Sequence, residues 1–111
     1  MLSVRDRGCD VNEFGQTTQF ADWFARLADK TARARIRSRI RQAMAGLFGD
    51  CAPVGEGVSE MRIHYGPGYR VYYAREGAAV YLLLAGGDKS SQRRDIAEAK
   101  ALWADVKKGK P

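Results

Sequence analysis

Histidine is almost missing from these 111 residues: there is one, His64. Cysteine occurs twice, as Cys9 and Cys51, in no metal-ligand or redox spacing. So few nitrogen and sulfur ligands exclude a zinc module, and two scattered thiols do not make a disulfide framework. They read as the reduced thiols of a cytoplasmic protein, and no metal or cofactor is expected. Long apolar runs are also missing. The longest, Ala78–Ala85, is strand-sized, far short of the roughly 20 residues that span a bilayer, so no membrane partner is expected. The first residues, Met1-Leu2-Ser3-Val4-Arg5, lack the apolar segment of a signal peptide. No Gly-x-x-x-x-Gly-Lys-Ser/Thr loop is present, which argues against nucleotide binding.

Acidic residues are in short supply. There are 13, against 19 lysines and arginines, giving a formal net charge of +6. The 45% hydrophobic content is that of a globular chain, and the length is that of one domain, 1–111, with residues 1–10 a loose extension. Arginine outnumbers lysine, and its planar fork suits phosphate. An acidic protein partner accounts for the same charge. Thr31–Ala45 holds five arginines and no acid. On a helix, Arg33, Arg37 and Arg41 share one face and Arg35 and Arg39 another, flanking an apolar stripe of Ala32, Ile36, Ile40, Ala43 and Met44. The basic faces are either solvated or a docking surface.

Hydrophobic period gives the elements. A short strand is expected within Val11–Thr17. Phe20, Trp23, Phe24 and Leu27 follow i, i+3, i+4, i+7 spacing, which predicts a helix capped by Thr17 or Thr18. After Asp29-Lys30-Thr31, with Thr31 as the expected cap, the arginine-rich helix runs to about Gly46. Together the two predict an antiparallel helical hairpin. Gly46–Gly57 reads as loop, with a short strand near Cys51–Val54. The period then changes to two. Met61, Ile63 and Tyr65 form one strand face, and Tyr69, Val71 and Tyr73 another beyond a Gly66-Pro67-Gly68 turn. The apolar stretch Val80–Ala85 predicts a central strand. Three strands with tight turns make an antiparallel meander. A last helix places Ile96, Ala99, Trp103 and Val106 on one face.

The turn suggests a register. If Tyr65 pairs with Tyr69, His64 opposes Arg70 and Arg62 opposes Tyr72, all on one strand face. The apolar face then packs on the helices. The other face is expected to be open, its crowded cations either awaiting an anion such as a phosphodiester or balanced by Glu60 and Glu56 on a solvated polar face. Asp88 and Lys89 arrive beside it on the Gly86–Ser91 loop, ahead of a helix N-terminus.

The run Pro53-Val54-Gly55-Glu56-Gly57-Val58-Ser59-Glu60-Met61-Arg62-Ile63-His64-Tyr65-Gly66-Pro67-Gly68-Tyr69-Arg70-Val71-Tyr72 resembles the RelE/ParE toxin superfamily. Within it, the chain is similar to the addiction-module killer branch, a HigB-like group. Gly86-Gly87-Asp88-Lys89-Ser90-Ser91-Gln92 with Asp95-Ile96, Phe20-x-x-Trp23 and the Ala-Arg-Ala-Arg segment at 32–35 carry the same resemblance, over about residues 14 to 107. It implies an α+β fold: a helical hairpin on a twisted antiparallel sheet, closed by a C-terminal helix. It also implies the toxin of a type II toxin–antitoxin module. RelE-like members cut mRNA in the ribosome without metal, by activating the ribose 2′-hydroxyl. ParE-like members inhibit DNA gyrase instead. The motif arginine falls on Arg70 and the loop cation on Lys89. The family's C-terminal tyrosine meets Asp95, leaving its role to His64 or Tyr72.

The leading expectation is therefore a ribosome-dependent mRNA endonuclease. Arg70, Arg62 and Lys89 would hold the phosphate and His64 would move protons, with Asp88 orienting either His64 or Lys89. Tyr72, Asp88, Arg33, Arg37 and Arg41 would contact RNA. The partner would be a helix-turn-helix, HigA-like antitoxin. The alternatives are a non-enzymatic gyrase inhibitor, or a degenerate member that binds its antitoxin alone.

Overall fold

The computed structural model describes residues 10–109; Cys9 and the expected extension up to residue 9 lie outside the described residues. In chain order the elements are β1 (Glu13–Gln16), α1 (Thr18–Ala25), α2 (Lys30–Met44), β2 (Cys51–Gly55), β3 (Val58–Ile63), β4 (Tyr69–Arg75), β5 (Val80–Gly87) and α3 (Gln92–Lys107). The fold is α+β. Its sheet is five-stranded and mixed, in the order β1-β5-β4-β3-β2, wider than a three-stranded meander. β2 to β5 are antiparallel neighbours, whereas β1 lies parallel to β5, with Phe14 opposite Tyr81. The apolar stretch expected to be central is the inner strand next to β1.

Local chemistry explains most of these boundaries. Thr17 caps α1, its Oγ1 accepting from the Phe20 amide at 3.0 Å and donating to the Leu84 carbonyl at 2.7 Å. That one hydroxyl ties the helix start to β5. Asp29, rather than Thr31, caps α2, accepting from the amides of Thr31 at 2.9 Å and Ala32 at 3.1 Å. Its carboxylate is a stronger acceptor than a hydroxyl and stands at the position from which both orphan amides are reached. Between β2 and β3, Glu56 and Gly57 both adopt positive φ, 54° and 84°, the geometry of a two-residue turn that matches strand twist. Pro53 is tolerated because β2 is an edge strand.

The helical pair differs from the expected hairpin. α1 rests on β5 and α2 on β3, so the helices cover separate strands. They meet over the Phe24 ring, which the Arg33 and Arg37 guanidiniums approach to 5.2 and 5.3 Å. Beneath them Phe20, Ile36, Met61, Ile63, Val71, Tyr73 and Leu83 form one core. This is the apolar face read from the period-two pattern.

The opposite face of the sheet is also covered. Val58, Tyr72, Ala74, Leu84 and Ala85 pack against Ala99 and Trp103 of α3, flanked by Ile96 and Val106. A bulge on β5 makes this possible. Tyr72 pairs with Ala85 but Tyr73 with Leu83, so Leu84 is the extra residue, and both it and Ala85 reach the α3 side. Each large side chain buried there contributes about 1.5–3 kcal/mol. The sheet is thus sandwiched between two helical layers.

Candidate functional site

The β3–β4 register differs from the expected one by two residues. Arg62 stands opposite Arg70 and Glu60 opposite Tyr72; His64 lies beyond the end of the strand. A shift of two keeps every side chain on its face, so Arg62, Arg70 and Tyr72 do share one. That face is not open. Tyr72 is completely buried and Arg70 nearly so, because α3 lies over them. Tyr72 is therefore corrected from an RNA contact to a core residue. Burial, reinforced by the charge of Glu60, pushes its phenol well above the ordinary range, which removes it from acid–base chemistry near neutral pH. Its hydroxyl has no hydrogen-bond partner.

The anion that the crowded cations require is built in. Glu60 is only 3% exposed. One carboxylate oxygen accepts from Arg62 Nε at 3.0 Å; the other accepts from Gln92 Nε2 at 2.9 Å and faces Arg70 Nε at 3.8 Å. A buried carboxylate is tolerable only with such partners. Arg70 also donates from Nη1 to the carbonyls of Gly68 at 3.2 Å and Tyr69 at 3.4 Å, while its Nε has no hydrogen-bond partner.

Lys89 joins this cluster across a glycine. A Cβ on Gly68 would sit 2.9 Å from Lys89 Cδ and 3.6 Å from Arg70 Nη1. The bare backbone, at φ +81°, lets both cationic side chains pass over it. The loop that carries Lys89 is shaped by two further glycines. A Cβ on Gly86 would collide with the Trp23 ring, and one on Gly87 with the Asp95 carboxylate. Asp95 is held there by the Ser91 hydroxyl at 2.5 Å. Asp88 caps the short 3-10 turn Lys89–Ser91, its Oδ1 accepting from the Ser90 amide at 2.8 Å and the Ser90 hydroxyl at 2.5 Å. Those bonds hold its carboxyl below the usual range. Asp88 therefore shapes the loop. It orients neither His64 nor a phosphate, which its charge would repel.

The partner of His64 is Asp50. His64 Nε2 lies 2.5 Å from Asp50 Oδ2, and Arg62 Nη1 donates to Asp50 Oδ1 at 3.2 Å. The hydrogen bond from His64, aided by Arg62, holds the Asp50 carboxyl below its ordinary value. An ionised carboxylate only accepts, so the proton of that bond sits on His64 Nε2. His64 is 71% exposed and Asp50 41%, so the pair is open to a substrate. One polar chain thus runs His64–Asp50–Arg62–Glu60–Arg70, with Lys89 beside its far end.

Arg33, Arg37 and Arg41 are not part of it. The first two flank Phe24, and Arg41 is exposed further along the same side of α2. Arg35 and Arg39, on the other side, approach the cluster. The Arg35 guanidinium lies 4.9 Å from the Tyr65 ring centre, and Tyr65 donates to Asp29 at 3.0 Å. Arg35, Ser38, Arg39, Gln42, Ile63 and His64 line a cavity of about 340 Å³.

Asp50, Gln92 and Arg39 were missed by sequence reasoning. Asp50 left a signal: it is the lone acid between Lys30 and Gly55, next to the arginine run. Gln92 left none, since its role depends on where α3 starts. Among the described residues no group of three or more His, Cys, Asp or Glu side chains is placed to hold a metal ion. No helix among them is long and apolar enough to cross a membrane.

The chain is 43% identical over 90 residues to an uncharacterized protein of Haemophilus influenzae, covering 81% of this chain and 91% of that protein. No family model matches the chain, and no solved structure matches it.

Proposed function

We propose that this chain, which belongs to the same family as that Haemophilus influenzae protein, is the toxin of a type II toxin–antitoxin module and cuts mRNA on the ribosome. The observation that carries the reading is the convergence of His64–Asp50 with Arg62, Arg70 and Lys89 at one end of the sheet. Cleavage of a phosphodiester by its own 2′-hydroxyl needs a base, positive charge on the phosphorane and an acid for the leaving oxygen. His64 Nδ1 takes the 2′-proton while Asp50 stabilises the imidazolium. The 2′-oxygen attacks phosphorus, and Lys89 and Arg62 balance the growing charge. The bond to the 5′-oxygen then breaks, leaving a 2′,3′-cyclic phosphate, and that oxygen takes the proton held by the His64 imidazolium. Arg70 acts from beneath, through Glu60 and the Gly68 backbone. The α+β composition, two helices ahead of four antiparallel strands and a C-terminal helix after them, supports the RelE/ParE reading that the motifs suggested. Under this reading the partner is a helix-turn-helix antitoxin and the site of action is the cytoplasm.

The burial of Arg70 and Tyr72 favours a second reading. If their face never opens, the exposed arginines of α2 form a protein interface and the chain blocks gyrase, or binds only its antitoxin. Mapping mRNA ends after brief induction separates the readings. New cleavage sites are expected with the wild type, and none with His64→Ala or Lys89→Ala at equal expression. Supercoiling inhibition without RNA cleavage would replace the nuclease reading with the second one.

A further inference from the structure

The exposed His64–Asp50 pair poses a physical problem. Ion pairs in water hold their geometry poorly, because two mobile side chains are weakly bound and solvent competes. A base must nevertheless be aimed. Asp50 lies in the turn between α2 and β2, and besides His64 its carboxylate meets Arg62, at a pair that is itself 34% and 41% exposed. Further restraint comes through its backbone.

Arg39 supplies it. From α2, Nη1 donates to the carbonyl of Arg62. Nη2 donates to the carbonyls of Phe48 at 3.0 Å and Asp50 at 3.3 Å. The Asp50 carbonyl also accepts from the Arg62 amide at 2.9 Å. One planar cation therefore spans the two backbone segments whose side chains, Asp50 and Arg62, form the polar chain to His64. Gly49 makes room: a Cβ there would stand 2.9 Å from Arg39 Nη2. Only a planar fork reaches all three carbonyls at once.

We infer that Arg39 is a positioning residue, which clasps the Phe48, Asp50 and Arg62 carbonyls so that the Asp50 carboxylate holds the His64 imidazole in one orientation and one tautomer. The structural part of this inference stands apart from the nuclease reading; its kinetic consequence rests on that reading. A misplaced general base can cost a hundredfold in rate without changing substrate binding.

The test uses the fact that His64 is the one histidine of the chain, so its ring nitrogens need no assignment. Long-range proton–nitrogen NMR spectra of the purified full-length protein, at a pH where the ring is neutral, show which nitrogen is protonated. The wild type is expected to show Nε2–H, and Asp50→Asn to lose that bias. Arg39→Ala is expected to lose it while Asp50 is intact, and Arg39→Lys to restore part of it. Arg39→Met, which keeps the apolar stem and removes the fork, is expected to act like Arg39→Ala and stands in for it if that variant does not fold. On ribosomes programmed with a defined mRNA, the cleavage rate of Arg39→Ala should fall by about tenfold or more with KM unchanged. An unchanged tautomer signal in folded Arg39→Ala overturns the inference whatever the activity. A lost signal in a protein whose wild type cuts no RNA leaves the clasp standing and removes the nuclease reading instead.

Discussion

Removing the hydroxyl of Tyr72 should stabilise the protein. The ring is completely buried between the sheet and α3, and its Oη has no hydrogen-bond partner. Burying a hydroxyl without a partner costs about 1–3 kcal/mol by mutational measures. Tyr72→Phe keeps the ring and its contacts and removes that cost. The lower end of the range applies, because the folded phenol still feels the neighbouring Arg70 and Glu60 charges. A gain of about 1 kcal/mol is expected, equivalent to a rise in Tm of about 4 °C for a domain of this size. Tyr72→Ala, which empties the site, should instead lose about 3–5 kcal/mol. Urea unfolding followed by circular dichroism measures both. In cells, Tyr72→Phe should retain whatever toxicity the wild type has. A loss of 1 kcal/mol or more in Tyr72→Phe would show that the hydroxyl is satisfied, by an enclosed water for example. Loss of toxicity in a stable Tyr72→Phe would return the phenol to the site and refute its placement in the core.

Gly86→Ala should destabilise by about 1–3 kcal/mol, the usual cost of overpacking, since its Cβ would enter the Trp23 ring; trimming Trp23 to Leu in the same chain should recover part of this in urea. Asp29, Asp50 and Asp88 all lie below the ordinary 3.8, chiefly through the Ala32 amide, the His64 ring and the Ser90 hydroxyl respectively. A depressed carboxylate favours the folded state above its unfolded pKa, and that contribution is lost as pH falls through the folded value. The urea midpoint should therefore be flat near neutrality and drop below about pH 4. Asp29→Asn should make the drop shallower, and an unchanged slope in that variant would contradict the cap.

Much of this architecture is legible in the residues because it is local. The change of period at Val58, the Thr17 cap and the glycine turns all act within a few residues. They predict helix, helix, strands and helix in the right order. The apolar face of Met61, Ile63, Val71 and Tyr73 follows from strand alternation, and it does pack beneath α1 and α2. The candidate site was only partly legible. Arg62 and Arg70 were expected together and are, because a register error of two residues leaves faces unchanged. His64 was matched with Asp88, yet it is met by Asp50, from a turn 14 residues upstream in sequence.

Sequence alone determined which side chains share a face, where the chain turns and how strongly cationic it is. Those properties follow from backbone period, turn stereochemistry and composition. Tertiary structure alone decided that β1 runs parallel to β5, that α3 seals Tyr72 and most of Arg70, and that Glu60, an expected counter-charge, is buried between the arginines. Alternation assigns residues to opposite faces of a sheet but is symmetric between them. Which face meets solvent depends on where a distant helix docks, and that is settled by the summed burial of the whole chain.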